Sequence, residues 1–333
     1  MRRTRILGTG SYLPKKSLTN DELAKEYKLE TSDAWIRERT GIGNRHIAAP
    51  DEATSDMCLH ASREALARAG VKPEELDLII VGTISPDMPF PAAACFLQAK
   101  LGAGPRSAAF DVSAACAGSL FALSIADQYI KSGAAKRVLV VGAELLTRIV
   151  DWTDRGSCVL FGDAAGAIVL GPEEREGRGI LSTHLHTDGT QTGILCIPGG
   201  GSARPFDQKV LDARDMLVKM NGREVYKVAV RSLEAVSREA LEVNGLTTAD
   251  VDHVVAHQAN LRILEAVMKR MEIPLEKCHL NIEKVGNTSS ASVPLTLDQA
   301  IRGGTLKDGD LILMMAIGGG MSWGSALLRW SEG

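Results

Sequence analysis

The chain has 333 residues, 45% hydrophobic and 24% charged, with a formal net charge of -3 and 4% aromatic residues. That is globular composition, long enough for one large core or a duplicated one. The slight negative balance and few aromatics exclude a nucleic-acid binder relying on a basic field or stacked bases. Six scattered cysteines without a C-x-x-C pair argue against a disulfide framework or a zinc site. They fit a reducing compartment, and a cytoplasmic location is expected. The start, MRRTRILGTGSYLP, is basic but lacks the apolar stretch of a signal peptide. No apolar run is long enough to span a bilayer, so no membrane partner is expected.

In chain order, 55–70 has helical spacing and a stop at Gly70. DLIIVGT (77–83) and SAAFDVS (107–113) read as strands, 118–133 as a helix stopped by Gly133, and KRVLVVGAE (136–144) as a strand. This rhythm predicts a largely parallel sheet covered by helices. The second half then repeats the first. Residues 62–83 align without gaps on 237–258, Gly70 falling on Gly245 and Asp77 on Asp252. DQYIKSG (127–133) aligns on DQAIRGG (298–304). Repetition at half the chain length predicts a duplicated domain. The halves are set at residues 1–174 and 175–333, with the seam in GPEEREGRG.

Carried backwards, the second alignment places Cys116 opposite Asn287, and the first places His257 opposite Gly82, at the end of a strand. Ligands of open α/β sheets gather beyond the carboxyl ends of strands. Cys116, His257 and Asn287 therefore become candidates for one pocket. Cys116 lies in DVSAACAGSLFAL between small residues, just before a helix. A buried cysteine is often mere packing, but a helix start favours thiolate, the nucleophilic form. The other five cysteines read as packing. His257 ends an apolar strand, and its imidazole is either structural or a donor or base near neutral pH. Asn287 is either a helix cap or a hydrogen-bond donor to a carbonyl oxygen. Gly318-Gly319-Gly320 after a strand lets backbone N–H groups face an oxyanion. His46, His184, His186 and His253 read as structural or surface residues, and GGG at 199–201 as a surface loop.

Six ordered stretches carry a resemblance over nearly the whole length: TSDAWIRERTGIGNRHIA, DVSAACAGSLFAL, DRGSCVLFGDAAGAIVL, HQANLR, GNTSSASVPL and GGGMSWGSALLRW. With them the chain resembles the β-ketoacyl-acyl-carrier-protein synthase III family of thiolase-fold condensing enzymes. The resemblance implies an α/β fold of five layers, α-β-α-β-α, with two duplicated halves. It implies an acyltransferase that starts fatty-acid synthesis by decarboxylative Claisen condensation of an acyl-CoA primer with malonyl-acyl-carrier protein. Cys116 would take the acyl group, His257 and Asn287 would hold the malonyl thioester carbonyl, and the N–H groups of Cys116 and Gly319 would form the oxyanion hole. Trp35 and Arg155 would sandwich the CoA adenine, Arg39 would meet CoA phosphates, and Asn260 would touch substrate. Gln258, Ala259, Asn260, Leu261, Arg262, Lys269 and Arg270 would meet the acidic carrier protein. Phe90 would cross a homodimer interface to line the acyl pocket. No cofactor is implied, since the CoA thioester is itself a substrate. Met321 stands where phenylalanine is common in the family, which predicts an altered acyl pocket and a primer other than acetyl. Three alternatives stay open: a family member of secondary metabolism handling an unusual acyl group, a Cys-His-Asn hydrolase, and a non-enzymatic binding module.

Overall fold

The structure, a computed structural model, describes residues 3–332. Its first sheet is ordered β1 (Arg3–Tyr12), β7 (Ala164–Glu173), β6 (Val138–Glu144), β4 (Leu78–Gly82) and β5 (Ala108–Val112). The second is ordered β8 (Gly179–Thr187), β13 (Ser322–Arg329), β12 (Leu311–Gly318) and β11 (His253–Ala256). Strand directions match position for position. In the first, β4 is parallel to β5 and β6, and β7 is antiparallel to both neighbours. In the second, β11 is parallel to β12, and β13 is antiparallel to both neighbours. The fifth strand has shrunk to one bridge, Val254 with Cys278, where the His279 N–H donates to the Val254 carbonyl at 3.0 Å. Two ribbons complete the strands: β2 (Lys16–Thr19) with β3 (Asn44–Ile47), and β9 (Leu195–Cys196) with β10 (Lys219–Met220). Each sheet is mixed rather than largely parallel.

Five layers result. Helices α3 (Thr54–Ala69) and α4 (Ala93–Leu101) cover the outside of the first sheet, and α7 (Gly222–Val243) covers the second with α8 (Leu261–Met271) packed on it. Between the sheets lie α5 (Gly118–Lys131) and α10 (Ser292–Arg302), each touching strands of both. The remaining helices are α1 (Asn20–Tyr27), α2 (Asp33–Thr40), α6 (Gln208–Asp212) and α9 (Ile282–Val285). The strands LIIVG, VLVVGAE and LILMMAIG are buried throughout, and apolar but for Glu144, because both faces are covered. The middle core joins Ile80 and Val140 to Leu120, Leu297 and Met314. Pro294 is tolerated in the first turn of α10, where its missing N–H has no intrahelical partner to lose.

The gapless alignment is corrected at one place. α5 and α10 end in step, Lys131 with Arg302, but α5 has 14 residues and α10 has 11. Both are preceded by a 3-10 turn, Ala115–Ala117 and Ser289–Ala291. Each turn opens on a non-glycine residue at positive φ, Ala115 at 45° and Ser289 at 49°. Counted from the turns, Cys116 is equivalent to Ser290, not Asn287. α5 carries one extra turn, which a comparison anchored at the helix ends slides past.

Candidate active site

Beyond the strand ends lies a cavity of about 700 Å³, its open mouth included, lined by Cys116, His257 and Asn287 together. Phe161, Leu195 and Met321 are among its other walls. The size suits a small-molecule site. Cys116 sits in the 3-10 turn between β5 and α5, 8% exposed. Gly318, at the end of β12, presses on it. A Cβ there would lie 2.4 Å from the Cys116 nitrogen, so only glycine lets the two backbones meet. The expected thiolate is corrected. Burial pushes the thiol up to about 12, and the Ser289 hydroxyl, donating to Cys116 Sγ at 3.1 Å, pulls the other way. At neutral pH Cys116 therefore rests as a thiol.

His257 follows β11, its N–H bonded to the Met315 carbonyl at 2.8 Å. Burial pushes its imidazole down to about 3, so the ring is neutral at every working pH. Its Nδ1 is buried without a partner. A buried N–H left unpaired is rarer than an unpaired acceptor, which favours the tautomer with the proton on Nε2, free to donate. Asn287 is anchored by its own backbone, N–H to Leu160 at 2.8 Å and carbonyl accepting from Gly162 at 3.0 Å. Its Oδ1 accepts the Ser289 N–H at 2.9 Å, leaving the Nδ2 hydrogens for the cavity. It caps no helix. Thus two neutral donors and one sulfur share a largely apolar space.

A second cavity of about 420 Å³, again with its open end, adjoins the first at Cys116. Ile84, Leu146, Ile197 and Val218 make it apolar, and Gly319 and Ser289 also line it. Cys116, Phe161 and Leu195 belong to both cavities, so they form the neck between them. Met321 lines the first cavity rather than this one. Cys196 lines the second, so it is not mere packing, and Cys95 is exposed. Behind the wall, Glu144 is fully buried and accepts from the Ile84 N–H at 3.0 Å and the Ser85 hydroxyl at 2.9 Å. Burial pushes its carboxyl up to about 8.

The outer residues divide. On α2, Trp35 lies under two guanidinium groups, Arg39 at 4.6 Å and Arg155 at 5.2 Å from the ring centre. An adenine between Trp35 and Arg155 therefore requires Arg155 to swing out. Asn260 lines the cavity, caps α8 through the Arg262 N–H at 2.9 Å, and donates to the Arg39 carbonyl at 3.0 Å. Ala259 lines the cavity too. Gln258 is turned inward. It is fully buried, its amide spent on the Ala256 and His279 carbonyls, so it cannot meet a protein partner. Leu261 packs against Gly41 at the end of α2. Arg270 is held by Glu234, leaving Arg262 and Lys269 exposed on α8. Phe90 is 85% exposed and reaches neither cavity of its own chain. Ser289 and Glu144 were missed from sequence; the polar run at 288–290 was the one hint. His184 and His186 both bond Glu239 and stay structural.

A cysteine at a turn between two like halves, facing a neutral histidine and an asparagine, defines a condensing enzyme of the thiolase fold. Models of 3-oxoacyl-[acyl-carrier-protein] synthase III match residues 110–189 and, for its C-terminal part, 241–330. A β-ketoacyl-[acyl-carrier-protein] synthase III of Xanthomonas campestris is 54% identical, covering 98% of both chains. The crystal structure of the Aquifex aeolicus 3-oxoacyl-[acyl-carrier-protein] synthase III superposes with a TM-score of 0.90 at 49% identity, over 98% of this chain and all of that one. A priming β-ketosynthase of the R1128 polyketide pathway is more distant at 38% identity, with TM-score 0.91 over 99% and 97% of the two chains. The chain belongs to the 3-oxoacyl-[acyl-carrier-protein] synthase III family. That membership sets aside the hydrolase and the binding module.

Proposed function

We propose that Cys116, His257 and Asn287 carry out the family's reaction, the condensation of an acyl-CoA with malonyl-acyl-carrier protein that initiates fatty-acid synthesis. The acyl carbonyl leaves CoA for Cys116 Sγ: the S–C bond to CoA breaks, the bond to Sγ forms, and the thiol proton ends on the CoA sulfur. Acyl transfer needs no net proton, because the one that the buried Cys116 thiol gives up is the one that the CoA sulfur gains. The primer tail enters the apolar second cavity and frees the first for malonyl thioester. Loss of CO2 leaves an electron pair on the enolate, whose oxygen accepts from His257 Nε2 and Asn287 Nδ2. The carbanion attacks the acyl carbonyl, with the N–H groups of Cys116 and Gly319 as oxyanion hole. The new C–C bond expels Sγ, which takes one proton from water. A protonated imidazole would quench the carbanion; a histidine held near 3 does not.

The observation that carries this reading is the convergence of sulfur and two neutral donors on one cavity. Asn287→Ala separates its steps. Acylation by acyl-CoA, followed by mass spectrometry of Cys116, is expected within a fewfold of wild type. Decarboxylation of malonyl thioester is expected to fall about a hundredfold, the effect of losing one oxyanion donor. Equal losses of both activities would sink the division of labour.

Around this centre, Trp35, Arg39 and Arg155 are read as the CoA contact, and Arg262 and Lys269 as the carrier-protein contact. Met321, on the first cavity, is read as shaping the malonyl side. The chain is read as two halves, 1–174 and 175–333, working as a cytoplasmic homodimer. Six unpaired cysteines support the compartment. The unpaired edge of β5, beside exposed Met88 and Phe90, supports the dimer. Phe90, exposed and outside both cavities of its own chain, is read as reaching the cavity of a partner.

A further inference from the structure

We propose that Ser289 is a catalytic residue of acyl transfer, its hydroxyl donating to Cys116 Sγ and holding the negative charge that sulfur gains as it attacks. The proposal rests on the reading of Cys116 as acyl acceptor. The two atoms are 3.1 Å apart and both residues are buried. The groups facing the sulfur include no cation. Glu144 approaches from β6 and, once ionised above about pH 8, would raise the cost of negative charge; His257, after β11, is neutral. Charge on sulfur must therefore be met by neutral donors, and Ser289 is the side chain that supplies one.

The backbone points the same way. Ser289 holds φ 49° without being glycine, a strained conformation that persists where it serves a site. Its counterpart Ala115, at φ 45°, stands next to the thiol in the first half. The duplicated turn thus bears a methyl beside the nucleophile and a hydroxyl facing it from the other half. The flanking Thr288 and Ser290 hydroxyls are buried without partners, whereas that of Ser289 goes to the sulfur. The bond is used twice, when Sγ attacks acyl-CoA and when condensation expels it. It plays no part in forming the enolate.

The test is iodoacetamide alkylation between pH 6 and 10, read at the Cys116 peptide by mass spectrometry, beside single-turnover acylation by acetyl-CoA. Wild type is compared with Ser289→Ala and Ser289→Gly. Glycine removes the hydroxyl while relieving the positive φ, so a folded variant is available even if alanine destabilises. Both variants are expected to alkylate and acylate about tenfold or more slowly at each pH, the loss of one hydrogen bond to a charged sulfur. Malonyl decarboxylation should stay within about twofold. Alkylation within twofold of wild type in the glycine variant would overturn the proposal, as would slow alkylation with unchanged acyl transfer. Failure of wild-type Cys116 to take an acyl group while still alkylating would instead overturn the reading on which it rests.

Discussion

Glu144 shows how one buried residue writes a pH dependence into the molecule. Its carboxyl titrates near 8 in the folded chain and near 4.5 when exposed. The folded state therefore binds the proton more tightly. Stability from this source is complete below about pH 4.5 and drains away as pH rises to about 8. Glu144→Gln cannot ionise. Its melting temperature relative to wild type should climb between pH 5 and 8 and level off above; a constant difference measured by calorimetry would contradict this. Sequence could not have exposed the group, because a glutamate at the end of VLVVGAE reads as the polar exit of a strand. Its burial follows from the loop at 83–85 folding over it, which no local pattern records. Ser289 was hidden for a related reason: it meets Cys116 across 173 residues of chain.

Among elements, β5 is a terminal strand of the first sheet. The second sheet closes the corresponding side with the Val254–Cys278 bridge; among the described residues no strand or bridge pairs with the outer edge of β5, Ala108–Val112. A second copy pairing there would continue the sheet and cover Phe90. Phe90→Asp is accordingly expected to shift sedimentation from dimer toward monomer and to slow turnover of longer acyl-CoAs more than of acetyl-CoA. A dimer as tight as wild type would remove this edge from consideration. Elements were the most legible level in the sequence. The strand and helix at 77–83 and 55–70 lie at Leu78–Gly82 and Thr54–Ala69, because Gly70, at φ 62°, marks the stop unambiguously. The repeat DQYIK and DQAIR was legible for a physical reason. Asp127 and Asp298 are both fully buried and each pairs with the cation four residues on, Lys131 at 2.6 Å and Arg302 at 3.2 Å. Gln258 was misread because periodicity separates buried from exposed faces only inside α8, and Gln258 precedes it.

At the scale of the molecule, two sheets are joined through the starts of their middle helices. Gly142 on β6 is where this joint is tightest. A Cβ there would stand 2.1 Å from the Ser290 carbonyl oxygen and 3.0 Å from the Ser119 side chain. The Ser290 contact is with backbone, which cannot rotate aside as the end of a flexible side chain can. Gly142→Ala should therefore destabilise by several kcal/mol, in the range of severe core substitutions, and lower soluble yield and melting temperature together. A variant melting within a degree or two of wild type would show the joint to be more compliant than its packing implies. The fivefold layering was foreseeable from the repeat and the resemblance, whereas the extra turn of α5 was not, because an insertion of one helical turn preserves the amphipathic phase that sequence comparison relies on.

On the proposed mechanism, the narrow place formed by Cys116, Phe161 and Leu195 would fix an order of events. A fatty tail parked on the far side leaves the antechamber clear, so two thioesters can use one doorway in succession without ever competing for the same space. The elongated product, still tethered to its carrier, has to withdraw its tail past the same two side chains. On that reading, escape of the product would become harder with every added carbon.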